Sequence, residues 1–255
     1  MSMWYDRFSV AGKTVFLTGA AGGIGSVLLE GFLEAGARVF ALTRRPDTDW
    51  KGLDKRYPDL LIPQHCDLGD QEDLRQCAEH AEVGYGVDVF VHAASDCPHE
   101  PVNFYSLDLI RQTMRITFEA AYLLCSIFAP GMAARGMGSI IHLTTMNAEQ
   151  AWPGNPAYIT AKSALRMLTK AVARDFGERG VRANNLCPGY VHTRLTESSF
   201  SDPQMYEERR SHTMLGRWGV PDDMVGPCLF LASDASRYIT GLDLHVEGGW
   251  LAKGM

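Results

Sequence analysis

Short runs of apolar and β-branched residues alternate along this chain with longer stretches in which apolar positions return every three or four residues. The runs predict strands over 14–18, 38–42, 60–64, 87–92, 138–144, 182–187 and 243–246. The longer periodicity predicts helices over 23–35, 70–81, 107–134, 157–179 and 221–233. Most strand runs are apolar at consecutive positions. A strand that is apolar on both sides belongs in a parallel sheet covered on both faces. The expected class is therefore α/β, with residues 1–255 forming a single doubly wound, Rossmann-type domain around a mainly parallel sheet of about seven strands. The polar stretch over about 190–218 lacks a clear period and is expected to be a long loop of the lid kind.

Composition narrows the function. With 46% hydrophobic and 21% charged residues the chain is an ordinary globular one. A formal charge of −6 argues against nucleic acid as a partner. The opening MSMWYDRFSV has no signal-type apolar run, and the apolar run 120–134 is short for a membrane span and contains Pro130. No CxxC pair or zinc-type spacing occurs among Cys66, Cys77, Cys97, Cys125, Cys187 and Cys228, so buried free thiols, no metal and a cytoplasmic location are expected.

The first strand runs straight into TGAAGGIG, whose Gly19, Gly23 and Gly25 open the next helix. Glycines there let a backbone approach closely, and a helix N-terminus offers free N–H groups to a pyrophosphate. That context predicts a dinucleotide site. After the second strand, where an acidic residue would hold a ribose 2′-hydroxyl, stand Thr43, Arg44 and Arg45. A cation there suits a 2′-phosphate, so NADP(H) is preferred over NAD(H), with Arg44 ahead of Arg45. Asp67, after the third strand, either accepts a bond from the adenine amine or caps the following helix.

Tyr158 and Lys162 lie one turn apart on one helical face. An ammonium beside a phenol stabilises the phenolate and readies it for proton exchange with an alcohol or carbonyl. On TGAAGGIG, Asp67-Leu68, YITAK, VRANNLCPGYVHT, LGRWGVPDD, FLASDAS and VEGG, the chain resembles the short-chain dehydrogenase/reductase family over nearly its whole length.

The resemblance implies several roles. Tyr158 would be the catalytic acid/base. Lys162 would hold the nicotinamide ribose and depress the Tyr158 pKa. Gly19, Gly23, Ile24, Gly25, Arg44, Asp67, Leu68, His92 and Ala93 would lie along the cofactor. The backbone at Pro188, Gly189 and Val191, with the Thr193 hydroxyl, would hold the nicotinamide end. The closing strand would join a homotetramer, or a homodimer. The sequence departs from the family at three places: Thr145 stands for the usual serine (Thr144 if the register slips by one), Thr117 for a mid-helix asparagine, and His92-Ala93-Ala94-Ser95 for Asn-Ala-Gly. Thr145 keeps a hydroxyl for the substrate oxygen, Thr117 alters the proton relay, and His92 either satisfies a buried backbone group or faces the site.

The segment between Thr145 and Tyr158 is expected to meet the substrate through Asn147, Glu149, Gln150, Trp152 and Asn155. His192, Arg194, Arg209, Arg210 and His212 add polarity from the candidate lid. Together they favour a small polar substrate: a sugar, polyol or keto acid. The alternatives are a dinucleotide-binding regulator without chemistry, an NAD(H)-dependent dehydrogenase of a more apolar substrate, and a lyase or epimerase on the same fold.

Overall fold

The computed structural model describes residues 3–98 and 105–253. Its seven strands form one sheet in the order β3-β2-β1-β4-β5-β6-β7. They are β1 Thr14–Thr18, β2 Arg38–Thr43, β3 Leu61–His65, β4 Val89–His92, β5 Gly138–Leu143, β6 Val181–Pro188 and β7 Asp243–Val246. Every pairing is parallel. The order reverses between β1 and β4, which is where an open α/β sheet leaves a crevice at its strand ends.

The main helices are α1 Gly23–Glu34, α2 Gln71–Tyr85, α3 Leu107–Met114, α4 Ala120–Arg135, α5 Pro156–Phe176, α6 Glu197–Ser201, α7 Pro203–His212 and α8 Val225–Ala232. Alternate strand residues face opposite sides, so the core divides in two. Val15 and Leu17 pack with Leu28, Phe32 and Leu231 beneath α1 and α8. Phe16, Phe40 and Phe90 pack with Leu74, Leu124 and Phe128 beneath α2 and α4. The rings of Phe16 and Phe128 lie 4.8 Å apart. Burying each such side chain stabilises by roughly 1.5–3 kcal/mol.

Three expectations are corrected. First, the helix expected over 107–134 is not uniform: Arg115–Glu119 winds as a π-helix between α3 and α4. The joined run Leu107–Arg135 is long and apolar enough to cross a membrane by length and composition, beyond what the 120–134 run alone implied. Ala121, Leu124, Phe128, Ala129 and Met132 instead bury one side of it in the core. Second, the stretch expected to be a long loop carries α6 and α7, because Asp202 caps α7 by accepting the Met205 N–H at 2.8 Å, ahead of Pro203. Third, Asp67 does not cap α2. Asp70 does, accepting from the Glu72 and Asp73 amides, while Asp67 turns its carboxylate onto the Gly69 amide at 2.9 Å.

Candidate active site

The glycine loop follows β1 at the reversal of strand order. Gly19 has φ +68, and a Cβ there would meet the Ala94 nitrogen at 2.8 Å. A Cβ on Gly25 would meet the Gly19 carbonyl oxygen at 2.0 Å, and one on Gly23 would meet Thr193 at 2.8 Å. The loop is thus pressed between the turn after β4 and the segment after β6, with no room for side chains. Gly22 leads into α1 with no side-chain cap, leaving the first N–H groups of the helix for an anion. Ile24 packs partly buried on the core. This cradle fits the pyrophosphate of a dinucleotide.

The other candidates for cofactor contact lie on the same edge of the sheet. Arg44 and Arg45 are exposed beyond β2, and neither takes part in an ion pair among the described residues. His65 Nε2 lies 3.0 Å from the Arg44 carbonyl. Asp67 and Leu68 follow β3, and Ala93 follows β4. Pro188 ends β6, the Gly189 amide donates to the Val246 carbonyl, and Val191 is buried. His92 is different. It is fully buried, with Nδ1 2.9 Å from the Thr18 hydroxyl and Nε2 3.1 Å from the Thr117 carbonyl. Both ring nitrogens are engaged inside the protein, which matches the reading in which it satisfies a buried backbone group.

Tyr158 and Lys162 come from the first turns of α5, which Pro156 opens at a position that needs no N–H. Ala157, Ala161, Leu165 and Thr169 turn the same side of α5 to the sheet. The Thr145 hydroxyl lies near enough to the Tyr158 phenol to bear on its titration, and it accepts the Asn147 amide at 3.2 Å. Thr144 points elsewhere, 3.0 Å from Cys187 Sγ. Lys162 is 3% exposed, donates to the Leu143 carbonyl at 2.5 Å, and lies 5.8 Å from the Tyr158 ring centre. Burial pulls its pKa down to about 8.

The expected depression of the Tyr158 pKa is not found. Burial pushes the phenol up, the neighbouring Cys97 adds to this, and the Thr145 hydroxyl only partly opposes it. The Lys162 ammonium donates to the Leu143 carbonyl, and burial is the largest influence on the phenol. Thr117 sits inside the π-helix, buried, its hydroxyl 3.0 Å from Ser95 Oγ.

The residues expected to meet substrate are spread over different surroundings. Glu149 is held by Arg166 at 2.7 Å and His245 at 3.1 Å, on the side of β7. Gln150 is exposed, and Asn147 and Asn155 are half-buried. Trp152 joins an aromatic cluster with Tyr190 and Trp250, ring centres 6.4 and 6.0 Å away. Cys97, Tyr190 and the π-helix are parts of the site that the sequence does not signal. The thiol and the Tyr190 phenol both lie close enough to Tyr158 to bear on its titration. Neither residue has a spacing that would mark it.

Residues 19–251 match a family model described as enoyl-(acyl carrier protein) reductase. The gluconate 5-dehydrogenase of Gluconobacter oxydans is 30% identical over 248 residues, covering 96% of each chain. The L-tagatose-forming galactitol 2-dehydrogenase of Cereibacter sphaeroides is 30% identical over 247 residues, covering 95% of this chain and 96% of that protein. Among solved structures, a gluconate 5-dehydrogenase from Burkholderia cenocepacia, in complex with NADP and tartrate, is 31% identical with a TM-score of 0.91, covering 97% of this chain and 98% of that one. A glycine cradle at the switch point, a tyrosine with a buried lysine one turn on, and likeness along the whole chain agree: the protein belongs to the short-chain dehydrogenase/reductase family and is an oxidoreductase acting on CH–OH groups.

Proposed function

We propose that this protein uses NADP(H) to interconvert a secondary alcohol and a carbonyl on a small polyhydroxylated substrate of the sugar-acid or polyol kind, with Tyr158 as the acid/base. The observation that carries the reading is the meeting of the Tyr158 phenol, the Thr145 hydroxyl and the buried Lys162 at the strand ends, on the same edge as the glycine cradle. The kinship with gluconate and galactitol dehydrogenases supports the substrate class, and the exposed cations after β2 support the 2′-phosphate.

The bound nicotinamide would take up or give back a hydride with both electrons of the substrate C–H bond. The residues of the chain handle the rest. In the oxidising direction the Tyr158 oxygen, once it has lost its own proton to solvent, accepts the hydroxyl proton as the C–H bond breaks and the C=O bond forms. In the reducing direction Tyr158 returns that proton to the developing alkoxide, contributing roughly 10²–10⁴-fold. The Thr145 hydroxyl donates to the substrate oxygen in both directions and steadies its charge. Thr193, seated on Gly23, and the backbone of Pro188, Gly189 and Val191 close the nicotinamide end. Asp67 and Leu68 border the adenine side.

The edge strand β7 pairs only with β6 among the described strands and is half-buried along its length. That open edge supports a homotetramer built across it. Free thiols at all six cysteines support a cytoplasmic location.

The test is oxidation of D-gluconate and galactitol with NADP⁺ and NAD⁺, beside a Tyr158→Phe variant. Turnover that vanishes in the variant while NADP⁺ still binds supports the reading. Undiminished turnover in the variant refutes the role of Tyr158.

A further inference from the structure

Six basic residues mark the segment after β6, Arg217 among them forked onto Asp223, and the structure separates one from the rest. Arg194 is exposed. Arg210 is forked onto Glu207. His192 pairs with Glu197 and stacks on Phe200. His212 stacks on Trp250. Arg209, on α7, is buried to 7% exposure, and its Nε is buried with no hydrogen-bond partner among the described residues. The guanidinium carbon lies 4.9 Å from the Tyr190 ring centre and 5.6 Å from that of Trp152. Its hydrogen-bond partners among the described residues are the Met205 carbonyl at 3.3 Å and the half-exposed Glu208 carboxylate at 3.2 Å.

A buried guanidinium whose donors are incompletely used is costly. Such a group is retained where a ligand completes it. Its position says which ligand. Tyr190, under the guanidinium, follows Pro188 and Gly189 at the end of β6. Trp152, also beneath it, belongs to the loop joining Thr145 to Tyr158, and the two rings pack edge to face. Arg209 is therefore held by two segments that flank Tyr158, in a setting of aromatic rings that suits the body of a sugar. The planar fork of an arginine matches a carboxylate.

We propose that Arg209 is the specificity-determining receptor for a substrate carboxylate, so that the enzyme acts on sugar acids in preference to neutral polyols. The inference rests on the proposed function and narrows its substrate class. The carboxylate sits remote from the carbon being oxidised, so its loss weakens binding and leaves the chemical step alone.

The experiment compares wild type, Arg209→Met and Arg209→Lys, using D-gluconate and galactitol as probes. One readout is steady-state kinetics with NADP⁺. The second is quenching of tryptophan fluorescence on titration with each probe, which Trp152 makes sensitive to occupancy without any turnover. The expected result is a rise in the gluconate KM and dissociation constant of roughly 10- to 100-fold in Arg209→Met, the range for lost charge-assisted hydrogen bonds. Arg209→Lys falls between, kcat holds, and galactitol values do not change. Equal losses on both probes, or wild-type binding that ignores the carboxylate, overturn the proposal and leave Arg209 as a packing residue. If neither probe is oxidised, the proposed function fails for these substrates. The fluorescence titration then decides the Arg209 site alone: gluconate binding that Arg209→Met abolishes supports it, and no binding refutes it. Should Arg209→Met not fold, Arg209→Lys carries the same comparison.

Discussion

His92 Nε2 lies 3.1 Å from the carbonyl oxygen of Thr117, so an imidazole at the end of β4 takes up a backbone acceptor of the π-helix. In the register of the sheet His92 stands beside His142, their rings 6.1 Å apart. His142 Nδ1 in turn lies 2.8 Å from the Thr169 hydroxyl. Two imidazoles packed this closely in the core must both be neutral.

That neutrality gives a pH dependence. Burial, with help from Lys162, pulls His142 down to about 3 from 6.5. Burial, then His142 and Lys162, hold His92 well below 6.5. Unfolded, both titrate near about 6.5. Below that pH the unfolded chain binds more protons than the folded one, so stability falls as pH drops, by roughly 1.4 kcal/mol per unit for each histidine. Urea midpoints measured between pH 7 and 5 should decline, and His142→Gln should flatten the slope. A flat wild-type profile would contradict the assignment.

Thr145→Ser keeps the hydroxyl and drops only a methyl. It is expected to retain kcat/KM within a few-fold. Thr145→Val keeps the shape, loses the donor to the substrate oxygen and the acceptor for Asn147, and should cost roughly 10²–10³-fold in kcat, as loss of an oxyanion donor does. Equal activities for the two variants would remove Thr145 from the mechanism.

Arg44→Ala should lower kcat/KM for NADP⁺ by roughly 10-fold or more, the loss of a charge-assisted contact to phosphate. The NAD⁺ value should hold. If both cofactors lose equally, the 2′-phosphate is held elsewhere.

Lys162 loses its proton near pH 8, well below 10.5, because burial disfavours the ammonium. Activity that needs the charged form should decline as pH rises through about 8. In Lys162→Met the residual rate should show no such step. A wild-type rate that stays level well above that pH would show that the charge is not required.

Much of this is readable in the chain, for reasons that differ by residue. Strands such as β1 and β2 are apolar or β-branched through their middles and are bounded by glycine or polar turns, so their limits follow from pattern. Gly19, Gly23 and Gly25 identify themselves, because only glycine fits against Ala94, Thr193 and the Gly19 carbonyl. Thr145, Tyr158 and Lys162 converge because a helix starting at Pro156 and a strand ending at Leu143 are neighbours in the fold. Arg209 is visible in the sequence only as one lid cation among several. Its burial depends on Trp152 and Tyr190 arriving from distant parts of the chain, and no local period encodes that. The Tyr158 pKa escapes the sequence for the same reason. Spacing gives the lysine, but burial, which dominates, is a property of the packed whole.

The π-helix has a bearing on how this chain can change over time. A π-turn winds wider than an α-turn and holds one more residue. The extra residue is taken up within Arg115–Glu119, so the buried side of α4, from Ala121 through Leu124 and Phe128 to Met132, still meets the core. The backbone at Thr117 is therefore widened by the winding of the main chain, and a change of side chain there leaves the opening in place.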